Sequence, residues 1–139
     1  MKLITFMPYA DFKKSAACLD NQRLNKQIIE AKTIYDIISE NRTSGGWVSH
    51  PATRMWRGYT DALALYINAC LDEWKINRKR NHSYEKIPIA DEKNVKMPPW
   101  LGKEEFHASH RSNLLRKDAF YYEQYGWAEG PGLPYIWPV

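Results

Sequence analysis

The sequence predicts an all-α fold: one compact domain over residues 1–139, made of three long helices, an extended N-terminal arm and a C-terminal tail packed on the body. Three observations carry this expectation. Apolar residues recur three and four positions apart through three long stretches, which is the spacing of one helix face. No stretch alternates apolar and polar residues as a half-buried strand does. Breaks such as Gly45-Gly46 and Pro98-Pro99 separate the three stretches. With 139 residues, 44% of them hydrophobic, the chain can bury a core of its own.

The elements follow in order. Residues 3–7, Leu-Ile-Thr-Phe-Met, are apolar and stop at Pro8, which suits a short extended arm. Asp11 can cap a helix start. The first long helix is expected from about Ser15 to Glu40, with Leu24, Ile28, Ala31, Tyr35 and Ile38 on its core face. Asn41 to Gly46 ends it. Ser49 then offers a cap, Pro51 suits a first turn, and a second helix is expected from there to about Lys79. Its stripe of Met55, Tyr59, Ala62, Tyr66 and Ala69 is widened by Leu63, Ile67, Cys70 and Trp74, so this helix should be largely buried. Residues 80–102 form a polar connection that closes in a docked turn at Pro98–Gly102. A third helix is expected from about Lys103 to Tyr122, with Gly126 placed to terminate the chain's helical path. The tail, 130–139, is rich in proline and aromatic residues and is expected to pack back on the body.

Charge and composition narrow the function. The net charge is +4, a mild basic bias compatible with a nucleic-acid partner. Basic residues cluster at Arg54 and Arg57, at Lys75 to Arg80, and at Arg111 to Lys117, although each cluster also suits a plain solvated face. Six Trp and nine Tyr serve cores, and they also stack on bases. Cys18 and Cys70 lie within expected helices without metal-ligand spacing, so buried reduced thiols are expected. No signal peptide and no membrane-length apolar run is present, so an intracellular protein is expected. A Gly-rich phosphate loop and a nucleophile elbow are both absent, which argues against the familiar nucleotide hydrolases and esterases.

Three groups of residues could carry chemistry. Asp20, Arg23, Gln27 and Glu30 recur in steps of 3, 4 and 3 beside the first core face, with Lys26 at the outer edge. They suit either a surface ion-pair ladder or a polar wall with a carboxylate for acid/base work. His50, Arg54 and Arg57 stand at the second helix start, where backbone N–H groups are free; they suit a phosphate clamp or an ordinary capped helix. His107, His110 and Arg111, followed by Arg116 and Lys117, bring imidazole and guanidinium onto one turn, as a phosphate-binding helix does. Histidines at i,i+3 alone do not make a metal set, so no metal is expected.

Several blocks then occur in a recognisable order: Leu19-Asp-Asn-Gln-Arg-Leu-Asn-Lys-Gln27, His50-Pro-Ala-Thr-Arg-Met-Trp56, Pro98-Pro-Trp-Leu-Gly102, His107-Ala-Ser-His-Arg-Ser-Asn-Leu-Leu-Arg-Lys-Asp118 and Leu133-Pro-Tyr-Ile-Trp-Pro138. Together they resemble the pyrimidine-dimer DNA glycosylase family, in its branch of short bacterial and viral proteins. The resemblance implies a compact all-α enzyme that binds and kinks duplex DNA, flips a base, cleaves the glycosidic bond of a cyclobutane dimer and nicks the abasic site. It implies no metal or organic cofactor. The nucleophile it implies is the N-terminal α-amine, forming an imine at the sugar C1′, and a glutamate of the first helix assists. An α-amine titrates near ~7.7–8, against ~10.4 for lysine, so much of it is neutral and nucleophilic at cellular pH.

Carried onto this chain, the amine is that of Met1, since the bulky Lys2 favours retention of the initiator; the Lys2 side chain is second choice. The family glutamate meets Gln22 when aligned from the chain start and Leu24 when aligned on Arg23, which leaves Asp20 or Glu30 to substitute. The expected catalytic set is therefore Met1, Asp20, Arg23 and Glu30. The expected DNA contacts are Lys26, Gln27, His50, Arg54, Arg57, His107, His110, Arg111, Arg116 and Lys117. The expected partner is double-stranded DNA carrying damaged or modified pyrimidines, bound by a monomer. Two other readings stand beside this one: a DNA-binding module without catalysis, and an enzyme acting on a small nucleotide.

Overall fold

In a computed structural model of the chain, the described residues are 3–139. Regular structure among the described residues is helical, with no strand. Six α-helices occur: α1 (Phe12–Cys18), α2 (Asn21–Ser39), α3 (Pro51–Arg54), α4 (Thr60–Asp72), α5 (Glu104–Lys117) and α6 (Ala119–Tyr122). A π-helical turn at Glu73–Asn77 extends α4, and 3-10 turns lie at Glu92–Asn94 and Glu123–Tyr125.

The three expected long helices are thus each divided, and the dividing residue is usually a side chain that caps. Leu19 is extended (φ −74°, ψ 139°), and Asp20 caps α2 by accepting the Arg23 N–H at 3.4 Å. The second stretch breaks between α3 and α4, where Gly58 takes φ +85°. Its cap is His50, whose Nδ1 accepts the Ala52 N–H at 3.0 Å, and not Ser49; Pro51 does occupy the first turn. The third stretch breaks at Asp118 (φ −156°, ψ 78°), which caps α6 by accepting the Tyr121 N–H at 3.1 Å. A short acceptor side chain offers the backbone an alternative partner, so apolar periodicity continues across a point where the helix itself does not. Asp11 caps α1 through the Lys14 N–H at 3.0 Å.

Helix α4 is the central element and packs on both α1 and α2. Its Tyr66 is fully buried and lies parallel to Trp56, ring centres 6.3 Å apart. Trp100, in the turn before α5, meets Trp56 edge-on at 4.9 Å, which docks the 98–102 turn against the core. Cys18 and Cys70 are buried free thiols, and burial pushes both up to about 12. No helix among the described residues is long and apolar enough to cross a membrane.

Residues 3–8 run extended through the interior, and all six are buried. A lone extended segment has no neighbouring strand to satisfy its amides, so side chains must do so. Gln27 on α2 donates from Nε2 to the Ile4 carbonyl at 2.9 Å and accepts the Phe6 N–H at Oε1. Tyr66 on α4 donates to the Phe6 carbonyl at 2.8 Å, and Trp56 donates to the Thr5 hydroxyl at 3.0 Å. Helix α5 serves Met7 and Pro8 through His107, His110 and Arg111. The other end of the chain is tied to the same helix: Leu133 and Ile136 donate their N–H groups to Ser112 and Ser109.

Candidate active site

The N-terminal segment, the first turns of α2, the start of α3, the end of α5 and the tail enclose a cavity of about 410 Å³. Its floor is apolar, made by Leu3, Ile4 and Phe6. Arg23 and Lys26 project from α2, and Lys117 from the last turn of α5. His50 and Pro51 form one side, and Tyr135 and Trp137 form an aromatic wall. Gln22 stands at the edge. The periodicity of α2 explains why its charges meet here: with Leu24, Ile28 and Ala31 buried in the core, Arg23, Lys26 and Glu30 share the adjoining face.

The two candidate carboxylates differ in kind. Asp20 accepts the Tyr122 hydroxyl at 2.5 Å and Arg23 NH1 at 3.2 Å. Burial works to raise its carboxyl, but these bonds outweigh it and hold Asp20 below the ordinary aspartate value. Glu30 is 2% exposed. Its Oε1 accepts the Ile4 N–H at 3.2 Å, while its shielded Oε2 receives no hydrogen bond among the described residues. Lys26 Nζ lies 3.7 Å from Oε2. Burial raises the Glu30 carboxyl above the ordinary glutamate value, against the pull of Ile4, Lys26 and Lys117. Glu30 can therefore hold a proton at higher pH than an exposed glutamate, the property an acid/base group needs.

Burial lowers the His50 imidazole below its ordinary 6.5 and so favours its neutral form. Since Nδ1 accepts the Ala52 N–H, its proton resides on Nε2, leaving a donor. Among the described residues, cations line the cavity and no carboxylate does, which favours an anionic ligand at the rim. No group of three or more His, Cys, Asp or Glu among the described residues is arranged to hold a metal ion.

The model of the pyrimidine dimer DNA glycosylase family matches residues 1–88. The chain belongs to that family. Neither the curated proteins nor the solved structures include a match. Of the cavity of this family member, the floor, Gln22, Arg23, Lys26 and His50 lie within the matched residues, while Lys117, Tyr135 and Trp137 lie beyond them.

The remaining expected site residues fall elsewhere. Met1 lies outside the described residues. Gln27 is 0% exposed; it donates to Ile4 and accepts from Phe6 and, at 2.7 Å, from the Tyr66 hydroxyl, so its amide faces the interior. His107 and His110 are buried against Met7. Arg111 donates to the Pro8 carbonyl at 2.8 Å and forms a forked pair with Glu129, at 2.9 Å from Nε and 3.2 Å from NH2, besides pairing with Glu104. Arg116 is exposed and bonds to Asn113. Arg54, the last residue of α3, and Arg57, in the turn beyond it, line a separate groove with Arg42, where Arg57 donates to the Arg42 and Val48 carbonyls, both at 3.2 Å.

The structure thus gathers Arg23, Lys26, His50 and Lys117 around one cavity, with Glu30 behind Lys26. Sequence reasoning missed Leu3, Phe6, Tyr135 and Trp137 as lining residues. The one signal for the last two was an aromatic, proline-rich tail expected to fold back, and that composition does not say onto what.

Proposed function

We propose that the protein excises damaged or modified pyrimidines, cyclobutane dimers foremost, from duplex DNA and then nicks the abasic strand. One observation supports this above the others: a buried carboxylate with a raised pKa is bonded to the N-terminal segment beside a cavity rimmed by cations. In this reading the α-amine of Met1 is the nucleophile. Only Lys2 separates Met1 from Leu3 in the cavity floor, two residue steps that span at most about 7 Å.

The chemistry then runs as follows. The neutral amine attacks C1′, the bond from C1′ to the pyrimidine nitrogen breaks, and the departing base takes a proton. The C1′–O4′ bond opens as the imine forms, and O4′ is protonated. Removal of a C2′ proton expels the 3′ phosphate oxygen with the electrons of its bond to C3′. Glu30 serves as the group that gives and takes these protons. Arg23, Lys26 and Lys117 hold the flanking phosphates, and the Nε2–H of His50 donates to a sugar or phosphate oxygen. Asp20 orients Arg23 and caps α2.

Borohydride reduction in the presence of a duplex bearing one thymine dimer tests the reading. A covalent protein–DNA adduct is expected, with the modified peptide containing Met1. Salt-dependent duplex binding with neither adduct nor strand cleavage would establish the non-catalytic alternative. Competition by mononucleotides as effective as that by duplex would establish the small-nucleotide alternative.

A further inference from the structure

The basic residues that follow α4 take no part in the excision cavity. We propose that Lys79, Arg80 and His82 form a second phosphate-binding site, which holds the backbone of the same duplex on the opposite flank of the α2 start. This rests on the reading above that duplex DNA is the partner.

Chemistry, placement and rigidity each support the site. Lys75, Lys79, Arg80, Asn81 and His82 line a recess of about 380 Å³, and no carboxylate lines it among the described residues. Lys75 is already engaged, by the Tyr84 carbonyl and, at 3.4 Å, by Glu85. Lys79 and Arg80 are exposed and pair with no carboxylate among the described residues. His82 repeats the arrangement of His50: its Nδ1 accepts the N–H two residues on, that of Tyr84, at 3.0 Å. Burial and the nearby Lys75 favour its neutral form, so Nε2 carries the proton and donates. Cations beside a neutral imidazole donor thus recur from the cavity rim, and both groups suit phosphate oxygens.

Arg78 fixes the placement. It donates to Asn21 Oδ1 at 2.9 Å and to the Leu19 carbonyl at 2.6 Å, which ties the loop to the first residue of α2. Arg23, two residues on, lines the cavity from about 200° further round the same helix. The recess and the cavity therefore flank the first turn of α2, separated by a helix width of roughly 10 Å. That span is well within one duplex turn of ~34 Å, so a duplex laid across the α2 start meets both. The loop is also held. It follows the π-helical turn, Lys79 adopts a left-handed φ of +53°, and the Arg80 N–H donates to the Trp74 carbonyl at 3.0 Å. The Arg80 guanidinium lies 4.6 Å from the centre of the Trp74 ring, whose Nε1 donates to the Asn81 carbonyl at 2.9 Å. A left-handed lysine carries strain that a merely solvated loop would avoid. Cations already held in place lose little entropy on meeting phosphates.

The test uses a duplex bearing one tetrahydrofuran abasic analogue, which sets the binding register and cannot form an imine. Binding is titrated from about 50 to 200 mM salt. Each phosphate contact contributes ~0.9 to the slope of log affinity against log salt. The slope is expected to be shallower by ~0.9 in Lys79→Gln and by ~1.8 in Lys79→Gln/Arg80→Gln, so the same salt step costs the double variant about tenfold less affinity than the parent. The single variant keeps the contact between Arg80 and Trp74, so a folding defect in the double variant cannot hide the result. A control, Lys93→Gln/Lys96→Gln, removes the same charge elsewhere on the exposed surface and is expected to keep the parent's slope. Ethylation of backbone phosphates on one flank of the lesion is expected to weaken binding by the parent and not by the double variant. An unchanged slope, an equal change in the control, or an unchanged ethylation pattern overturns the site. A parent that binds no duplex overturns the DNA reading itself, and the site with it.

Discussion

Met7 and His110 stand 103 positions apart in sequence, and a hydrogen bond of 3.2 Å joins them, the Met7 N–H donating to Nδ1 of His110. His107, one turn earlier on α5, does the reverse: its Nδ1 faces the Met7 carbonyl at 2.8 Å, and its Nε2 accepts the Gly102 N–H at 2.9 Å. The partners assign the protons, to Nε2 in His110 and to Nδ1 in His107. Two neutral imidazoles thus satisfy both polar groups of one buried residue, as the next strand of a sheet would. Helix α5 substitutes for a missing strand and holds the floor of the cavity from behind.

Replacing His110 by Ala should therefore act first on stability. The Met7 N–H would stay shielded without an acceptor, at a cost of about 1–3 kcal/mol, to which the vacated ring volume adds. Thermal unfolding should show a Tm lower by roughly 10 °C, with His110→Gln, which keeps an acceptor, losing less. A variant that melts like the parent yet cannot cleave would instead assign the imidazole to the chemistry.

Acid should destabilise the fold through the same ring. Burial, with His107 beside it, holds His110 at about 3, against an ordinary 6.5. Between those values the unfolded chain takes up a proton that the folded protein refuses, so stability falls as pH drops from about 6.5 toward 3, by up to about 1.4 kcal/mol per unit. His107, lowered chiefly by burial, acts in the same direction. Glu30, raised by burial, opposes them just above the ordinary glutamate value of 4.5. Urea midpoints should fall between pH 7.5 and pH 5, with a flatter profile in His110→Gln; a flat profile in the parent would refute the assignment of neutral buried rings.

The two carboxylates should separate cleanly on substitution. Glu30→Gln keeps an acceptor for the Ile4 N–H and removes a buried charge, so its Tm should match or exceed that of the parent, while cleavage falls about 10²–10⁴-fold. Asp20→Asn weakens a helix cap and its bonds to Tyr122 and Arg23, so it should lose about 1 kcal/mol of stability and less than tenfold in cleavage. Single-turnover cleavage and melting curves on the same preparations check both, and the opposite pattern would make Asp20 the proton carrier.

Much of this molecule is legible before any coordinate is known. The helical class follows from spacing, the Asp11 cap and Pro51 turn follow from residue preference, and the face shared by Arg23, Lys26 and Glu30 follows from the core stripe Leu24, Ile28 and Ala31. Helix breaks at Asp20 and Asp118 were less legible, because an aspartate inside a periodic stretch reads equally as a solvated residue or a cap.

The sequence by itself determined the helical class, the family and the narrow polar face of α2, since each rests on residue type and local spacing. It did not determine which polar residues face DNA. The i,i+3 spacing of His107 and His110 states that they share a face, and the phosphate-grip reading assumed that solvent lay in front of it. Only the tertiary structure decided that the face meets the backbone of Met7, and that Tyr135 and Trp137 close a cavity over Leu3 and Phe6. The reason is distance along the chain: these partners lie about a hundred residues apart or more, and no local pattern encodes what a helix face will meet.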